Sequence, residues 1–64
     1  MVTINGEAVQ AAGKTLQDCL VSRGYDPLRV AVECNEGIVP RDDFDRVVLQ
    51  EGDVLEVVQF VGGG

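Results

Sequence analysis

The amino-acid sequence predicts an α+β domain, with a sheet packed on one main helix, and three observations carry that expectation. The chain has 64 residues, room for one domain only. Period-two apolar patterning recurs along it, whereas helical spacing occurs in one segment. The resulting order is strand, strand, helix and then several strands, which places one helix on one sheet face.

Each element has a local cause. Val2-Thr3-Ile4-Asn5 alternates apolar and polar residues, Asn5-Gly6 is the dipeptide favoured in tight hairpins, and Glu7-Ala8-Val9-Gln10 continues beyond it. Thr15 suits a helix N-cap, Asp18 favours the positive helix end, and Leu16, Cys19 and Leu20 fall on one helical face. Gly24 stops the helix and Pro27 lies just beyond. Val30 to Cys34 reads as a strand with Val30, Val32 and Cys34 on one side. Asn35-Glu36-Gly37 breaks it, and Ile38-Val39 is a short extended piece closed by Pro40. Arg41 to Asp45 reads as a loop or single helical turn that pins Phe44 to the core. Val47-Val48-Leu49 is expected as a further short strand, Gln50 to Asp53 as a turn, and Val54 to Val61 as the longest strand.

The last strand is apolar on both sides. If Leu55 and Val57 face the helix, Val54, Val58 and Phe60 form part of an open sheet face suited to a partner. The alternative is that the loop of the 40s folds over them.

Composition narrows the function classes. Eleven acidic residues against five basic ones give a formal net charge of −6 and no basic cluster, which disfavours nucleic acid and anionic membranes and favours a basic protein surface. No stretch approaches the ~20 apolar residues of a membrane span and the N-terminus lacks a signal-peptide pattern, so a cytoplasmic location is expected. Cys19 and Cys34 suit buried filler better than a disulfide framework, and without histidine a zinc site or a Cys-His nucleophile is not expected. Arg41 is expected to balance Asp42, Asp43 or Asp45, Lys14 to be solvated, and Asn35 and Gly52-Asp53 to form turns.

Three glycines, Gly62-Gly63-Gly64, follow the last strand. A frayed end is one reading. The other is a flexible tail over 61–64, attached to a domain over 1–60, whose carbonyl carbon is sterically open and whose slender backbone threads a narrow channel. Four residues past Phe60 reach at most about 13–14 Å. Ordering them costs roughly 4–8 kcal/mol, which a docking face on the body must offset.

Taken together, Asn35-Glu36-Gly37-Ile38-Val39-Pro40-Arg41, Leu49-Gln50-Glu51-Gly52-Asp53 and Val58-Gln59-Phe60-Val61-Gly62-Gly63-Gly64 resemble the ThiS family, the sulfur carriers of thiamine biosynthesis. The resemblance covers nearly the whole chain. It implies a ubiquitin-like β-grasp fold with a mixed sheet, and a protein cosubstrate with no catalytic residues or bound cofactor of its own. In that cycle a ThiF-type enzyme uses ATP and magnesium to adenylate the C-terminal carboxylate. Sulfur derived from cysteine, delivered by a protein such as a cysteine desulfurase, then displaces AMP, and thiazole synthase takes sulfur from the thiocarboxylate. Gly64 would carry the acyl-adenylate and then the thiocarboxylate, while Val61, Gly62 and Gly63 would thread the partner's active site and Val54, Val58 and Phe60 would dock the body. The small subunit of molybdopterin synthase, a ubiquitin-like modifier and an interaction domain with an inert tail are the competing readings.

Overall fold

In the computed structural model, which describes residues 1–61, the chain forms five strands, one α-helix and two single turns of 3-10 helix. Strands β1 (Val2–Ile4) and β2 (Glu7–Val9) form the opening hairpin; α1 spans Leu16–Ser22; β3 (Val30–Cys34) and β4 (Gly37–Val39) form a second hairpin; and β5 runs Val54–Gln59. The 3-10 turns are Pro27–Arg29 and Arg41–Asp43. The sheet order is β2-β1-β5-β3-β4. Only the central β1–β5 pairing is parallel, so the sheet is mixed, as in a β-grasp.

Both hairpins turn on positive φ angles. Asn5 and Gly6 adopt φ 49° and 86°, as a two-residue type I′ turn requires. The second hairpin uses Asn35 and Glu36 at φ 51° and 71°, and for a glutamate that region is sterically costly. Helix α1 starts where Thr15 Oγ1 accepts a hydrogen bond from the Asp18 amide at 3.1 Å, and ends before Gly24, whose φ is 86°.

The core lies between α1 and one sheet face. Leu16, Cys19 and Leu20 of α1 meet Val2, Ile4, Val30, Val32, Leu55 and Val57 of the sheet, and Phe44 and Leu49 close one side. Burying each large aliphatic side chain stabilises the fold by about 1.5–3 kcal/mol.

Three details of the sequence reading change. Residues 47–49 are not a strand: Val48 forms only an isolated bridge with Thr15. Leu49 pairs with the stretch before the helix, its amide donating to the Lys14 carbonyl and its carbonyl accepting from the Gly13 amide, each at 2.8 Å. That partner coils into α1 at Leu16, so the ladder has nowhere to extend. Strand β5 ends at Gln59 rather than Val61, because its neighbour β3 starts at Val30, the partner of Gln59. Arg41 forms no ion pair with Asp42, Asp43 or Asp45 among the described residues. Its guanidinium instead donates to the carbonyls of Pro27 at 3.1 Å and Val30 at 3.4 Å, tying the second 3-10 turn to the entry of β3.

Candidate functional site: the open sheet face and the end of β5

Strand β5 alternates strictly. Leu55 and Val57 are buried under the helix, while Val54, Glu56 and Val58 point to the opposite, uncovered face. The loop of the 40s packs elsewhere: Phe44 is buried in the core and its carbonyl accepts from the Gln17 amide of α1 at 2.9 Å. That loop therefore leaves the far sheet face open. Val54 is 46% exposed and Val58 59%, separated on this face by Glu56, and Phe60, just past the strand, is 56% exposed. Neighbouring strands widen the face, since Ala31 pairs with Val58, and Ile38, itself 79% exposed, pairs with Glu33. Alternation along β3 already sets Ala31 and Glu33 opposite Val30, Val32 and Cys34, but that Ile38 and Val58 stand beside them depends on the β3–β4 and β3–β5 registers.

The point at which the chain leaves this face is fixed by hydrogen bonds. The Phe60 amide donates to the Arg29 carbonyl at 2.7 Å, one position past the end of β5. On the other edge β1 ends at Ile4, and Asn5 takes over with its side chain. Its Oδ1 accepts from the Val57 amide at 2.8 Å and its Nδ2 donates to the Val57 carbonyl at 3.0 Å. A side-chain amide thus replaces the next rung of the parallel ladder while the backbone turns away at Asn5-Gly6. A second asparagine braces the start of β5. Asn35 donates through Nδ2 to Asp53 at 3.0 Å and accepts through Oδ1 from the Val54 amide at 2.9 Å, so the expected turn-former also clips the β3–β4 turn to the entry of β5.

Val61 follows, 92% exposed. The other residues assigned to the tail, Gly62, Gly63 and Gly64, the last of them expected to carry the sulfur, lie outside the described residues. Lys14 is exposed at the foot of the helix, as expected.

The described residues present little chemistry of their own. Cys19 is buried and Cys34 partly so, and burial pushes both thiols above their ordinary value of 9.0. For Cys19, Arg23 and Lys14 work against that rise; for Cys34, Asp53 adds to it. Raised thiols hold little thiolate, the nucleophilic form, at neutral pH. Among the described residues no three His, Cys, Asp or Glu side chains are grouped to hold a metal ion, and no helix is long and apolar enough to cross a membrane.

Comparison with known proteins converges on one family. The ThiS family model matches residues 2–64. The sulfur carrier protein ThiS of Bacillus subtilis is 38% identical over 66 residues, with both chains covered in full. A segment of the thiazole synthase of Magnetococcus marinus is 48% identical over 64 residues, covering 98% of this chain; the chain spans about a fifth (20%) of that protein's length. The crystal structure of the thiamine biosynthesis protein ThiS from Geobacter metallireducens superimposes with a TM-score of 0.75 at 30% identity, covering 98% of this chain and 97% of that one. Sequence match, mixed five-stranded sheet and single helix agree: the chain belongs to the ThiS family, the sulfur carriers of thiamine biosynthesis.

Proposed function

We propose that this chain carries sulfur on the carboxylate of Gly64 and delivers it to thiazole synthase. The observation that carries the reading is the match of residues 2–64 to the ThiS family, joined to an exposed sheet face on β5, the last strand before the three glycines in sequence. A free carboxylate is a poor electrophile. Adenylation by a ThiF-type enzyme with ATP and magnesium, both belonging to that partner, converts one carboxylate oxygen into part of a leaving group and releases pyrophosphate. The outer sulfur of a persulfide, derived from cysteine and carried by a protein such as a cysteine desulfurase, attacks the acyl carbon and displaces AMP. A thiol then reduces the acyl disulfide so formed, leaving as a disulfide with the donor cysteine. The resulting thiocarboxylate is the donor to the synthase. The chain is a cosubstrate throughout: the partners supply the catalytic groups, while this body supplies docking energy that positions Gly62, Gly63 and Gly64.

The test is removal of Gly63-Gly64 in a cell that depends on this chain for thiazole synthesis. The carrier reading predicts complete loss of growth without thiazole, with the truncated body still folded by circular dichroism. Normal growth of the truncated strain would contradict it and favour an interaction domain with an inert tail.

A further inference from the structure

Glu33 of β3 and Glu56 of β5 are direct partners across an antiparallel pair, and both stand on the open sheet face. Directly opposed residues have Cβ atoms about 4.5–5.5 Å apart, and like charges there destabilise a sheet. Among the described residues no cation relieves this pair: the ion pairs join the Met1 amino group to Glu51, Arg23 to Glu7 and Arg29 to Asp26. The two carboxylates also divide the face into two shallow grooves. On one side Glu36 and Val54 complete an acidic groove. On the other Ala31, Ile38 and Val58 complete an apolar one.

The geometry points to a docking surface on thiazole synthase that inserts a cationic side chain between Glu33 and Glu56 and lays apolar residues against Ile38 and Val58. This inference rests on the proposed function, which supplies the partner; the carrier's own residues supply the chemistry of recognition. An arginine fits best, because its planar fork of donors can bond two carboxylates at once, and charge-assisted bonds of this kind are the strong ones. Charge also excludes a second copy of this chain as the occupant. Two bodies of net charge −6 would meet acidic pair to acidic pair. The enzyme that accepts sulfur must in any case approach this end of β5, since Gly64 lies within about 13–14 Å of chain from Phe60. A cation entering between the two carboxylates offsets the like-charge cost that direct cross-strand opposition carries.

Glu33→Gln with Glu56→Gln, in the full-length carrier, separates these effects. The probe is the thiazole synthase of the same organism, titrated by calorimetry at low and high salt, with Asp42→Asn and Asp45→Asn together as a control of equal charge change on the helix side. The expected result is a dissociation constant raised about tenfold or more, a shallower salt dependence than wild type, and a control within twofold of wild type. The melting temperature of the glutamine variant should rise by about 1–8 °C as the like-charge pair is removed. Wild-type affinity in the glutamine variant, equal weakening in the control, a lowered melting temperature, or weakening only toward the adenylating enzyme would each overturn the inference. Binding by the body does not need chemistry at Gly64. Intact binding without thiocarboxylate formation would therefore sink the proposed function alone, and wild type that does not bind the synthase would sink the docking inference itself.

Discussion

At the scale of single residues, the polar side chains that matter most are those that substitute for backbone. Asn5 Oδ1 and Nδ2 hold both peptide groups of Val57, a contact spanning 52 residues of sequence. Asn5→Ala removes both bonds and places a Cβ-bearing, non-bonding residue at positive φ, so we expect a loss of about 1–3 kcal/mol in urea unfolding. Glu36 gives the opposite expectation. It occupies φ 71° without a residue type suited to it, and Glu36→Gly should stabilise the fold by about 0.5–1 kcal/mol in the same assay, net of the entropy glycine adds to the unfolded chain. The cysteines set an alkaline limit. Burial raises the folded-state values of Cys19 and Cys34 above 9.0, so the stability from keeping the thiols neutral is complete below the unfolded value and is lost as pH rises through the folded one. The urea midpoint should therefore fall above about pH 9, and Cys19→Ala should flatten that fall. The Asn5-Gly6 turn was legible because the dipeptide itself demands it. The Asn5–Val57 bracket was not, because nothing local encodes a contact between distant residues.

At the scale of elements, local chemistry was a good guide wherever an element is stabilised locally. Helix α1 carries its own cap at Thr15, its own stop at Gly24 and a three-residue apolar face, and all appear as expected. Residues 47–49 mislead for the converse reason. Their β-branched composition suits a strand, but the stretch beside them becomes helix at Leu16, and an extended segment without a long partner forms only one bridge. The loop of the 40s nevertheless anchors the fold through Phe44, which is 2% exposed. Phe44→Ala should cost about 3–5 kcal/mol, a large share of the stability of so small a domain, and should show as a broad loss of the thermal transition. The pairing of Glu33 with Glu56 illustrates the limit most clearly. Each residue reads as an ordinary solvent-facing strand position, and only register brings the two carboxylates together.

At the scale of the whole molecule, the fold separates two tasks by sheet face. One face buries its apolar residues under α1 and holds the domain together, while the other leaves Val54 exposed at the entry of β5 and Val58 and Phe60 exposed near the exit of the chain. Val58→Asp separates these roles. On the open face it should cost only about 1 kcal/mol, from lower strand propensity and a further like charge beside Glu33 and Glu56, while abolishing detectable docking to the synthase; a loss of several kcal/mol instead would place Val58 in the core. The central claim is that the body exists to present one carboxylate, and intact-protein mass spectrometry tests it most directly. After incubation with the ThiF-type enzyme, ATP, magnesium and a sulfur source, the account predicts replacement of one oxygen by sulfur, mapped by fragmentation to Gly64. An unchanged mass from an enzyme shown to be active on another carrier, or sulfur mapped to Cys19 or Cys34, would contradict it.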